Sequence, residues 1–243
     1  MSERIEKAYY FKKNEFLLML MIGRVNEIYS FSLPEPEEMD NSTITMTLYR
    51  LMKHGHLQME DDQVALSEEM DKAVECIRTA FYALNIVPDE ENEQRICYLS
   101  DMGAVVTELS EQNNEIRLQI LTKSEFLEDL FERTGVDEMP IESYEEGQEL
   151  EEFNGQVSGE HQIYAAEELI SLETDLFSWM DRESVLSAWE IQDLKKKMLV
   201  KRLLFRKGFL NSWVTEQTEE GLQVYYDSIE YREELKNWLY QEK

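Results

Sequence analysis

Three histidines, two cysteines and a large excess of carboxylates are the residues of this 243-residue chain that could do chemistry. His54 and His56 stand in the tripeptide "HGH", and His161 lies far along the chain. A structural zinc site gathers four ligands, commonly including a Cys-x-x-Cys pair, and no such pair accompanies these histidines. The tripeptide falls at a helix end, so both read as surface histidines. Cys76 and Cys97 are too few for a disulfide framework and sit in apolar surroundings, which predicts buried free thiols. General acid/base work needs one carboxylate pair set apart from the rest, and among 52 Asp and Glu none is. Neither a glycine-rich phosphate loop nor a Gly-x-Ser-x-Gly turn is present. The sequence points away from an enzyme: no catalytic residue, no cofactor and no metal are expected.

The charge narrows the partners. With 24 basic residues against 52 acidic, the net charge is −28. Such a surface repels DNA, RNA and anionic lipid headgroups, and it suits a basic or polar protein partner. The apolar run Phe16–Ile22 is far shorter than the roughly 20 residues of a membrane span. Arg24 follows it, with no small-residue cleavage site. The expectation is a cytoplasmic protein without nucleic acid and without membrane insertion.

The elements that must position a binding surface follow from periodicity and punctuation. A helix is expected over about 13–29, with Asn14 as its cap, ended by "LPEPEE". Ser42 or Thr43 caps a helix to Lys53 with Ile44, Leu48 and Leu51 on one face, and Gly55 ends it. "HLQM" and "QVAL" form a hairpin around Glu60-Asp61-Asp62. Ser67 caps a third helix carrying Met70, Ala73, Val74, Ile77 and Ala80 inward. This is a winged-helix-like order, yet the helix that would enter a groove offers only Arg50 and Lys53.

From Tyr82 the period becomes two. "YALNIV", "RICYLS", "AVVTELS" and "EIRLQILT" read as an antiparallel meander, with Ile116, Leu118 and Ile120 on one face. Ser124 caps a helix to about Arg133. Positions 135–160 hold nine acidic residues, no basic one and four of the nine glycines. They read as an acidic loop or linker, either solvated or able to dock on a basic partner. Helices are expected over about 162–180 and 184–207. The second contains seven basic residues between 195 and 207 and no acidic one. Lys195, Lys196, Lys201 and Arg202 of this cluster face either a partner or the acidic remainder of the chain. Strands "FLNSWVTEQ" and "LQVYYD" and a helix from Ser228 close the sequence.

"LQILTKSEFLEDL" and "LQVYYDSIEYREEL" have the same order: Leu-Gln in a strand, then a serine opening an acidic helix. The expected architecture is therefore α+β: an antiparallel sheet with flanking helices in two pseudo-repeated halves, 1–134 and 161–243, joined by 135–160. Candidate partner-binding residues are Gln112, Asn113 and Asn114 in the turn Glu111–Glu115. Trp213, Tyr225 and Tyr226 are candidates too, as exposed anchors or as core.

The stretch "MTLYRLMKHGHLQMEDDQVALSEEMDKAVECIRTA", the meander "ICYLSDMGAVVTELSEQNNEIRLQIL" and a second half closing in "YREELKNWL" resemble, in layout, the EspG-type chaperones of mycobacterial type VII (ESX) secretion. They are similar too to related proteins of unknown function in Firmicute type VII loci. The helix ending in "KHGHL" before an acidic wing is the most specific of these motifs. The resemblance implies a cytoplasmic, non-enzymatic chaperone that holds a helical secretion substrate by its tip. This chain is far more acidic than mycobacterial members, and no binding residue of the family carries over. The rival class is an acidic immunity protein or inhibitor that neutralises a basic toxin by charge complementarity.

Overall fold

The computed structural model describes residues 7–25, 28–29, 32–88, 95–110, 114–132, 185–207, 212–218, 221–226 and 229–240. The expected helix over 162–180 and the linker 135–160 lie outside them. The chain divides into two compact units. The first comprises 1–85, 93–126 and 193–197; the second comprises 86–92, 127–192 and 198–243.

In the first unit, β1 (Ala8–Lys12) leads directly into α1 (Lys13–Ile22), followed by a 3-10 turn (Pro36–Glu38) and α2 (Asn41–Lys53). The hairpin β2 (Leu57–Glu60) and β3 (Gln63–Leu66) and then α3 (Glu68–Thr79) complete the winged-helix-like order. The meander β4 (Tyr82–Pro88), β5 (Arg95–Ser100), β6 (Gly103–Ser110) and β7 (Glu115–Leu121) follows as the alternation requires. The strand order is β1-β7-β6-β5-β4.

Register fixes the two faces of this sheet. Ile96 lies opposite Thr107, and Thr107 opposite Leu118; Tyr98 lies opposite Val105. Tyr9 and Phe11 of β1 lie opposite Leu118 and Ile116. Phe11, Ile96, Tyr98, Val105, Leu109, Ile116 and Leu118 share one core with Phe16, Met19 and Leu20 of α1 and Met70, Val74 and Ile77 of α3. On the opposite face the row Arg95, Glu108 and Arg117 crosses three strands, and both arginines pair with Glu108.

Capping differs from expectation in small ways. Asp40 caps α2, its carboxylate accepting from the Thr43 N–H at 2.6 Å, one residue before Asn41. α4 (Lys123–Glu132) begins after Thr122, whose Oγ1 accepts from the Glu125 N–H at 3.3 Å, so Thr122 takes the place expected of Ser124. α1 is capped at Lys12 rather than Asn14 and ends at Gly23, not near Tyr29. Cys76 and Cys97 are buried, and neither forms a disulfide. The Cys76 thiol lies 3.1 Å from Ser100 Oγ, and burial raises its pKa.

The second unit overturns one expectation. Residues 185–207 form no helix but a hairpin, β8 (Val185–Asp193) and β9 (Met198–Lys207). Ser187, Trp189, Ile191 and Asp193 alternate inward along β8. The Asp193 carboxylate then accepts from the backbone N–H of Lys195 and Lys196, at 3.0 and 2.9 Å. That side-chain turn, closed by Lys197 at φ +54°, is the reversal that a continuous helix lacks. β10 (Ser212–Thr218), β11 (Gly221–Tyr226) and α5 (Ile229–Leu239) follow, with strand order β8-β9-β10-β11. Phe131 of α4, Trp189 and Phe205 form an aromatic cluster, with the Trp189 and Phe205 rings 4.5 Å apart.

Two glycines in the first unit answer to different constraints. Gly103 closes the two-residue turn between β5 and β6 at φ +138°, and a Cβ there would strike the Leu121 carbonyl oxygen. Gly55 ends α2 at φ +75° with open space around it. Gly103→Ala is expected to cost about 3 kcal/mol or more, since backbone cannot yield as a side chain can. Gly55→Ala should cost about 1 kcal/mol, and Gly55→Asn less, because only the left-handed backbone is penalised. Denaturant midpoints of the three variants check this ordering.

His56 ties α2 to the edge strand. Its ring lies 4.8 Å from Phe11 and 5.8 Å from Tyr9, while its backbone bonds Leu51 and Ser67. Burial and then the neighbouring His54 lower its pKa, against the opposing pull of Glu15 and Glu69. A histidine held neutral by the fold stabilises fully above its ordinary value near 6.5, and that contribution is lost as pH falls below it. Unfolding free energy should therefore decline below about pH 6.5, and His56→Phe should flatten the decline. An unchanged pH profile in the variant would refute the assignment.

Candidate protein-binding site

The basic stretch that the sequence singled out lies on β9 and the turn before it, and the structure separates its members. Adjacent strand residues point to opposite faces, so Lys201 and Arg202 serve different surroundings. Arg202 lies opposite Gln217 on β10 and donates to its Oε1 at 3.1 Å. It also pairs with Glu190 of β8 at 3.0 Å. Lys201 faces α5. Its Nζ lies 2.6 Å from Glu216 Oε1 and 4.5 Å from the centre of the Trp238 ring. Tyr231 donates its hydroxyl to Glu216 Oε2 at 3.2 Å.

Around this cluster is a half-open pocket of about 380 Å³, lined by Lys201, Glu216, Tyr231, Glu234, Leu235, Asn237 and Trp238. β9 and β10 supply its floor and α5 its wall. It presents one ammonium, two carboxylates and two aromatic rings. Among the described residues no group of three His, Cys, Asp or Glu side chains is placed to hold a metal. Among them too, no helix is long and apolar enough to cross a membrane.

The other candidates are placed as follows. Lys195 and Lys196 are exposed in the β8–β9 turn, with Lys196 3.7 Å from Asp193. Asn114 is exposed at φ +51° in the turn before β7. Gln112 and Asn113 lie outside the described residues. Trp213 lies opposite Tyr226, and Val214 opposite Tyr225, on β10 and β11. The described contacts thus bring Lys201 together with Glu216, and Arg202 with Glu190. They join neither pair to Asn114. Sequence reasoning missed Glu216, Tyr231 and Trp238, because the pairing of Lys201 with Glu216 depends on the β9–β10 register. A Lys on a strand one turn away from an inward Glu was the available signal.

Lys201 and Glu216 are both largely buried, at 13% and 9% side-chain exposure. Removing one partner leaves an uncompensated charge. Lys201→Met is expected to destabilise the fold by about 3 kcal/mol, whereas Lys201→Met with Glu216→Gln should lie near neutral. A double-mutant cycle by chemical denaturation measures this coupling; additive losses would contradict it.

No protein-family model matches the sequence, and no curated protein does. Among solved structures the chain is similar to the Mycobacterium tuberculosis type VII secretion system chaperone EspG5, solved in complex with a PE25–PPE41 dimer. The TM-score is 0.54 at 9% identity, over 96% of this chain and 94% of that one. The likeness establishes an EspG-like α+β fold, an antiparallel sheet with flanking helices, in agreement with the architecture read from the sequence.

Proposed function

We propose that this chain is a non-enzymatic, cytoplasmic chaperone or adaptor that binds a helical substrate of a type VII secretion system. In this reading it is built as two pseudo-repeated halves, 1–134 and 161–243, joined by the acidic linker 135–160. It is akin to the related proteins of Firmicute type VII loci. The observation that carries it is the similarity to EspG5 over nearly the whole chain, together with the PE25–PPE41 dimer in that structure. A fold shared at 9% identity transmits layout rather than side chains, so the binding surface is argued from this chain's own residues.

The candidate binding residues are, in the first unit, Gln112, Asn113 and Asn114 with the exposed Lys195 and Lys196, and, in the second, the β10–β11 aromatics Trp213, Tyr225 and Tyr226. Lys201 and Arg202 hold β9 against β10 and β8, and Lys201 also lines the pocket beside α5. Polar turns of this kind fix orientation, and aromatic side chains supply most of the affinity.

Purification of the tagged full chain from its host cytoplasm is expected to bring down a small helical protein in stoichiometric amount. The complex should survive high salt, because apolar anchoring is not screened. A basic toxin released by salt would instead support the immunity-protein reading, for which the net charge of −28 speaks.

A further inference from the structure

α2 has two unlike faces. Thr47 and Leu51 are buried, and Ile44 and Leu48 pack against the same core. The opposite face carries Met46 and Tyr49, 56% and 68% exposed, with Arg50 and Lys53 beside them. These four positions follow the spacing i, i+3, i+4, i+7, which places neighbouring side chains about 5–6 Å apart in one stripe. Met52, 39% exposed, flanks it.

The local charge is as unusual as the exposure. From Asn41 to Met59 there is no Asp or Glu, although the chain has 52. Arg50 and Lys53 form no ion pair with any described residue. The helix dipole accounts for cations in the last turn of α2. It does not account for a methionine and a tyrosine held in water beside them.

We propose that the outer face of α2 is a docking surface for an acidic amphipathic helix of a partner protein. An apolar ridge on that helix packs beside Met46, Tyr49 and Met52, and carboxylates along its flank meet Arg50 and Lys53. Two cations match a helix with Glu or Asp at i, i+4 spacing. They are too few for a nucleic-acid backbone, which meets several Lys or Arg side chains. The patch is small, so the contact is weak and transient rather than obligate. This surface is independent of the secretion reading and lies outside the residues assigned to it.

The test uses the full chain and two synthetic helical peptides of about 20 residues. Both carry a Leu/Met stripe, flanked in one by Glu and in the other by Lys. Fluorescence anisotropy is expected to show binding of the Glu peptide with a dissociation constant on the order of 10–100 μM. Binding of the Lys peptide, which carboxylates elsewhere on the chain attract, should not weaken when α2 is substituted. Tyr49→Ala should weaken binding of the Glu peptide about 10-fold, and Arg50→Glu with Lys53→Glu should abolish it; circular dichroism checks that each variant stays folded, since the charge reversal also loses favourable dipole contacts at the end of α2. Glu-peptide binding undiminished in the variants, or absent at about 1 mM, would overturn the proposal. So would binding of a short DNA duplex that Arg50→Glu with Lys53→Glu removes, which would assign the face to nucleic acid.

Discussion

A carboxylate cannot be buried in this fold without a cation beside it, and the chain has fewer than half as many cations as carboxylates. Glu108 is therefore met by Arg95 and Arg117 from both neighbouring strands. Glu216 is met by Lys201 and by the Tyr231 hydroxyl, and Glu190 by Arg202. Each pair joins adjacent strands or a strand and its covering helix, so charge neutralisation and strand register specify one another. A one-residue slip of β9 against β10 would reverse Lys201 to the other face and leave Glu216 without its ammonium. Well-packed apolar residues could match such pairs in stability, but they would discriminate less between registers.

The same constraint explains what was legible in the sequence. β7 could be read because one of its faces is apolar and the other polar: Ile116 and Leu118 face the core, while Arg117 and Gln119 take the other side. The winged-helix order could be read from caps and breakers, although Asp40 and Thr122 rather than their serine or threonine neighbours provide the bonds. β9 could not be read as a strand. Leu203, Leu204 and Phe205 are all buried, so both faces are apolar and the period of two disappears. Lysines before this run then imitate the basic last turns of a helix. The Asp193 turn was the contrary signal, and a lone Asp carries little weight in so acidic a chain. β1 was missed because five residues run straight into α1 without a turn between them.

The candidate site was half legible for a related reason. Residue type identified Lys201 and Arg202 as unusual, since a basic cluster stands out against a net charge of −28. Their partners are set by register, which composition does not encode. Glu216 lies 15 residues beyond Lys201, across the β9–β10 connection, and Trp238 is contributed by α5. What looked in sequence like one basic surface becomes two inward attachments on opposite faces of β9 and an exposed turn at Lys195 and Lys196.

Acidity then acts as a filter on association. Covering most of a surface with carboxylates leaves like-charge repulsion between copies of the chain and against polyanions. Contacts survive where acidity is interrupted and apolar side chains are presented, because there desolvation is favourable and repulsion is low. The outer face of α2 meets both conditions through Met46, Tyr49, Arg50 and Lys53. The pocket beside α5 meets them differently: Trp238 and Leu235 supply apolar wall, and Lys201 offsets Glu216 within it. The α2 face favours an acidic helix, and the pocket, with Glu234 unmatched by a second lysine in its lining, favours a neutral or cationic group.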